Sequence, residues 1–98
     1  MTEPITGSLD PYTWDSEAAV AYEVAIEAIN GVVGAYSALI HDEQQRPEPD
    51  DERIAELRRL RTECQRERER INPDDAKQVA EIRQRYSQRL HDLRERRG

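Results

Sequence analysis

Tyr22, Ile26, Ile29, Val33, Tyr36 and Ile40 follow one another at steps of 4, 3, 4, 3 and 4, the spacing that lines apolar side chains along one edge of an α-helix. A second apolar row, Ala21, Ala25, Ala28, Val32, Ala35 and Leu39, lies beside it, and a weaker third row holds Val20, Val24, Gly31 and Ala38. Glu23, Glu27, Asn30, Ser37 and His41 leave only a narrow polar stripe. A surface helix ordinarily carries an apolar arc of little more than about 100°, and this one carries about twice that. Asn30-Gly31 is a pair that can end a helix or make a turn, and each glycine inside a helix costs roughly 1 kcal/mol against alanine. The seam nevertheless runs through both glycines without slipping. The pattern predicts one continuous helix, with Gly31 and Gly34 as flat places where another helix backbone can approach.

Two breaks divide the rest of the chain. The stretch HDEQQRPEPDDE, 41–52, carries Pro47 and Pro49 among polar residues and must end the first helix. The stretch INPDDAKQ, 71–78, reads as a helix start, with Asn72 as N-cap, Pro73 at the first helical position, and Asp74 and Asp75 in the first turn. Between and after the breaks lie two narrow seams on strongly charged helices. One is Ile54, Leu57, Leu60, Cys64 and Ile71; the other is Val79, Ile82, Tyr86, Leu90 and Leu93. In LDPYTWD, Asp10 can cap the first helix with Pro11 at its first position and Leu9 stapled to Trp14; a later start at Asp15 or Ser16 would leave Tyr12 and Trp14 in an extended arm. The expectation is a single helical domain over 1–98: a flexible 1–9, helices over 10–45, 51–71 and 73–96, and a linker over 46–50. Neither seam of the hairpin can be hidden without the first helix, so the fold class is all-α, an antiparallel three-helix bundle with a long apolar first helix and a charged helical hairpin.

Composition limits what such a bundle can do. Of 98 residues, 37% are charged and none is Phe, so the core must be built from Ile, Leu, Val, Ala and Tyr. The net charge of −6 divides unevenly: residues 1–50 hold ten acids against Arg46 alone, a net of −9, whereas 51–98 hold eleven acids against fourteen bases, a net of +3. An acidic front half disfavours nucleic acid and anionic lipid and suits a basic partner surface. Cys64 is the only cysteine, so no internal disulfide forms. MTEPITGSLDP has neither a basic n-region nor an apolar h-region, and the uncharged run 28–40 is short of the roughly 20 residues that cross a bilayer. A cytoplasmic protein, off the membrane, is expected.

No constellation announces catalysis. His41, Cys64 and His91 are single and far apart, which argues against a metal site, and no cofactor motif is present. Glu23 and Glu27 have the spacing of a carboxylate pair, but di-metal bundles also need Glu-x-x-His motifs, which are missing. The two glutamates therefore read as a solvated face or a partner contact. In RQRYSQRLHDLRERR, 83–97, the arginines are spread around the helix and mixed with Asp92 and Glu95, so a solvated, ion-paired helix is favoured over a nucleic-acid arm. Two narrow seams also do not obviously cover so apolar a first helix. Either alanine tolerates partial exposure there, or the Val20, Val24, Gly31 row and the aromatics before it await a second copy or another protein.

The N-terminal helix YTWDSEAAVAYEVAIEAINGVVGAYSALI and the break-separated hairpin behind it resemble the epsilon-type antitoxins that neutralise zeta-type kinase toxins. The likeness is one of architecture across most of the chain. It implies a short acidic three-helix bundle whose first helix plugs the nucleotide site of a P-loop kinase. The pocket of such a kinase is lined with positive charge, which Asp15, Glu23 and Glu27 would meet while Val20 and Val24 exclude water. The function expected is thus a protein-binding inhibitor that is not an enzyme, with Tyr12, Trp14, Asp15, Val20, Glu23, Val24, Glu27 and Gly31 as contact residues. A zeta-type kinase toxin would be its partner, in an oligomer formed with it. The alternative is a structural coiled-coil module that self-associates through the first helix.

Overall fold

A computed structural model describes the backbone of residues 3–97 and the side chains of 16–96. Among the described residues the chain forms three helices, α1 (Glu3–Gln44), α2 (Asp51–Arg70) and α3 (Ala76–Arg97), and no strand. Side-chain bonds fix their directions. Asn30 of α1 accepts from Arg68 of α2, and Ser37 accepts from Arg61 at 3.0 Å, so α1 and α2 are antiparallel. Cys64 meets Arg89 and Glu67 meets Arg85, so α2 and α3 are antiparallel too. The first helix is the central one: α1 packs against both others, while no Cα atom of α2 comes within 8 Å of one in α3. The result is the three-helix bundle that the pattern implies.

Being flanked on two sides shifts the buried line of α1. Ala25, Ile29, Val32, Tyr36 and Ile40 are buried, whereas Tyr22, Ile26 and Val33 of the expected seam are only half-buried. The deepest line runs between the two apolar rows because each row leans towards a different neighbour. Ile26 and Val33 lie beside Asn30 and Ser37, which bond to α2, while Gly31 faces Leu90 of α3. The helix is unbroken through Asn30-Gly31. The seams of α2 and α3 close the core as expected: Ile54, Leu57, Cys64, Ile71, Val79, Ile82, Tyr86 and Leu93 are buried, with Leu60 and Leu90 half-buried against them.

Only the start of α2 falls where it was expected; α1 and α3 close at Gln44 and Arg97, each one residue from the expected end, and three other ends differ. First, α3 opens at Ala76 rather than Pro73. The Asn72 side chain accepts from the Asp74 amide at 3.0 Å and the Asp75 amide donates to the Asn72 carbonyl at 3.0 Å, which closes a turn with Pro73 at its second position. Asp75 is the N-cap, accepting from the Gln78 amide at 3.0 Å. Pro73 suits both the turn and a helix start, and the Asx turn at Asn72 decides between them. Second, α2 starts at Asp51 as expected but ends at Arg70, because Ile71 has turned to an extended conformation with ψ 132°. Asp50 caps its start, accepting from the Arg53 amide at 3.1 Å, and the Glu43 carboxylate clasps the linker through Arg46 and the Asp50 amide, both at 3.0 Å. Third, α1 begins at Glu3, so 3–9 is helical rather than loose and Asp10-Pro11 lies inside the helix. Pro4 falls in the first turn, where no amide donor is required.

At 1.5 Å per residue, the 42 residues of α1 are about twice the length of α2 or α3 (20 and 22 residues). The Cα radius of gyration is 18.6 Å, against roughly 13 Å for a compact chain of this size. The accessible surface is 7051 Å², about a fifth above what a compact monomer of 11.4 kDa exposes. The bundle is therefore a core built around one over-long helix.

Candidate protein-binding surface

The face of α1 that points away from the core carries Val20, Glu23, Glu27, Gly34 and His41, all exposed. Val20 is the large apolar side chain left in water among the described residues, at 57% exposure. Glu23 and Glu27 stand one turn apart, and neither pairs with a cation among the described residues. Val24 is half-buried at the edge of this face. Gly31 belongs to the inside, since a Cβ there would lie 2.8 Å from Cδ2 of Leu90. The flat spot expected to receive a partner is thus taken by α3. Tyr12, Trp14 and Asp15 lie outside the described side chains. Val20, Glu23, Val24 and Glu27 thus occupy neighbouring positions on α1, and Gly31, one turn beyond Glu27 and half-buried, has Leu90 of α3 against it.

Gly34 behaves differently, because a Cβ there would meet nothing within 4 Å. Its cost to the helix is not offset by any close approach within the chain. Gly34→Ala should therefore raise stability by about 0.5–1 kcal/mol, read as a rise of a few degrees in the melting temperature. Gly31→Ala should gain much less, since Leu90 must turn aside to admit the methyl group. Equal gains at the two positions would show that Leu90 does not press on Gly31 in solution.

A second feature lies where α2 and α3 are bridged. Tyr86 is 1% exposed, and its hydroxyl donates to the Glu67 carboxylate at 2.5 Å. Arg85 donates to the other oxygen at 2.6 Å, and the Arg89 guanidinium sits 5.0 Å from the centre of the Tyr86 ring and 3.7 Å from the sulfur of Cys64. Burial pushes the Tyr86 phenol well above its ordinary range, and its bond to the Glu67 carboxylate adds to that. Burial works against the charge on Glu67, but the bonds from Arg85 and Tyr86 prevail and hold its carboxyl below the usual range. Tyr86, Arg85 and Arg89 of this cluster all bond from α3 to α2, so it ties the two helices together. It also engages Arg85 and Arg89, two of the arginines that a nucleic-acid arm would present. The sequence pattern placed Tyr86 in the seam but gave no sign that Glu67 would meet its hydroxyl.

Among the described residues no group of His, Cys, Asp and Glu is arranged to hold a metal ion. The part of α1 over Ser16–Gln44 is, by length and composition, apolar enough to cross a membrane. The core helix of a bundle meets the same description, and here α1 lies between α2 and α3. No protein family, no curated protein and no solved structure matches the chain.

Proposed function

We propose that this chain is a protein-binding inhibitor that acts through α1, in the manner of the epsilon-type antitoxins it resembles. The observation that carries the reading is the outer face of α1: Val20 is exposed beside Glu23 and Glu27, which have no cation partner among the described residues, on the part of the helix surface that α2 and α3 leave open. Apolar surface flanked by unpaired carboxylates suits a basic, partly apolar cleft. The nucleotide pocket of a P-loop kinase is such a cleft, and filling it would exclude ATP with no chemistry done by this chain. The reading places the protein in the cytoplasm with a kinase toxin as its partner.

The test is recovery of the tagged chain from its native host, followed by an ATP-binding assay on whatever kinase comes down in stoichiometric amount. A recovered P-loop kinase whose ATP binding is blocked by the chain supports the reading. A partner that still binds ATP in the complex sinks the occlusion mechanism. The open backbone at Gly34 favours one competitor, self-association through α1. A chain recovered only with copies of itself, and made monomeric by Val24→Asp, would replace the inhibitor reading.

A further inference from the structure

α1 offers α2 a longer seam than α2 covers. Ala19, Glu23, Ile26, Asn30, Val33 and Ser37 follow one another at steps of 4, 3, 4, 3 and 4, which makes them one stripe of the helix. Asn30 bonds to Arg68 and Ser37 to Arg61, pairs that lie seven residues apart on both helices, so the two helices run in a constant register. In that register Glu23 would face position 75 and Ala19 position 79. α2 ends at Arg70, however, and Ala19 and Glu23 are exposed. A longer α2 would have set Asp75 against Glu23, acid on acid; instead the chain turns over 71–75 and enters α3. A groove of about 470 Å³, lined in part by Ala19 and Glu23, opens at this uncovered part of the stripe. Its floor is small and apolar, with Ala18, Ala21 and Tyr22 from α1 and Ala76, Val79 and Ala80 from α3. Glu23 and Asp74 add negative charge to the lining and Arg83 adds positive charge. All three are exposed, and none has an ion partner among the described residues.

We infer that this groove seats a helix of the partner protein, lying in line with α2 against the uncovered stripe; the inference rests on the reading that α1 is the contact element. The chemistry of that helix follows from the lining. It carries small or aliphatic side chains on the alanine floor, arginine or lysine towards Glu23 and Asp74, and a carboxylate towards Arg83. α2 itself meets α1 in this way, reaching Asn30 and Ser37 with arginines. A second copy of α1 does not suit the groove: α1 carries acids and no Lys or Arg, so acid would face Glu23 and Asp74. The test uses the protein recovered with the tagged chain, purified and titrated by calorimetry against variants whose fold is checked by circular dichroism. Ala19→Arg and Ala80→Arg, both at exposed positions, should each weaken binding by about 10-fold or more. Ala55→Arg, on the exposed side of α2, should leave it unchanged. A photo-cross-linking residue at position 19 should attach to a helix of the recovered protein, and reversing the charge of the basic residue nearest that point should restore binding to the Glu23→Arg variant. Glu27→Arg, outside the groove, separates this inference from the reading it rests on. If it weakens binding and the two groove variants do not, the groove is unoccupied and the outer-face contact stands alone. If none of the three weakens binding, α1 is not the contact and both fall. Loss at the groove positions alone keeps the inference and confines the contact to the groove. Recovery of the chain alone or only with its own copies overturns the inference, as does cross-linking from position 19 to a second copy or to a non-helical segment.

Discussion

Replacing Tyr86 by alanine is expected to lower stability by about 3–5 kcal/mol, the range for removing a buried aromatic side chain. A chain of 98 residues holds a total on the order of 5–15 kcal/mol, so the variant should be folded only marginally at 37 °C. The effect is large because Tyr86 fills several roles at once. It is among the bulkiest fully buried side chains, and its ring is the surface over which Arg89 lies. Its hydroxyl is one of the bonds that hold α3 to α2, whose backbones do not touch. Tyr86→Phe separates these roles: it keeps the ring, loses the hydroxyl, and should cost about 1 kcal/mol because Glu67 is open enough to take water in exchange. Thermal unfolding of both variants checks the order. A Phe variant as unstable as the Ala variant would show that the hydrogen bond, not the ring, holds the hairpin together.

The same pair gives the molecule a pH dependence at both ends. Glu67 has a folded pKa below its unfolded value, so its contribution is complete above the ordinary glutamate range and fades as pH falls through the lowered value. Tyr86 has a folded pKa above its unfolded value, so its contribution is complete below about pH 10 and is lost as pH rises beyond that. Tyr86→Phe should flatten the alkaline limb of a stability–pH curve and weaken, without abolishing, the acid limb. Arg85 still pairs with Glu67 in that variant.

Helix number, order and the seams of α2 and α3 were legible because each rests on local rules that nothing in the tertiary structure opposes. The 4-3-4-3-4 spacing carried α1 through Asn30-Gly31, and Pro47 with Pro49 ended it. Other features were settled only by long-range contacts. Whether Ile26 or Ala25 is buried depends on having two neighbours rather than one. Whether Gly31 faces a partner or Leu90 depends on how α3 registers against α1. The start of α3 turned on a competition between two short-range uses of Asn72 and Pro73, and the Asx turn won. The outer face was half legible: the third apolar row pointed to Val20, but its other members, Val24, Gly31 and Ala38, are partly covered within the chain.

The partition of α1 into an inner stripe and an outer face makes the proposed interface testable without disturbing the fold. Glu23→Arg combined with Glu27→Arg should weaken partner binding by at least 30-fold, a loss of about 2 kcal/mol, as expected when the charge of a contact residue is reversed against a basic cleft. Both side chains are exposed and have no partner among the described residues, so unfolding temperature should stay within a few degrees of wild type. Removing two carboxylates spaced at i,i+4 also removes a like-charge repulsion, although two arginines restore it, so no large change in helix stability is expected. Ile29→Ala provides the contrasting case. It opens a cavity in the inner stripe, should cost about 2–5 kcal/mol of stability, and should leave affinity near wild type at temperatures where the variant is folded. Binding measured by calorimetry and unfolding measured by circular dichroism on the same samples separate the two effects. If the double arginine variant binds as well as wild type, the outer face of α1 is not the contact surface. Affinity lost in step with stability for Ile29→Ala would instead place the determinant in the packed bundle itself.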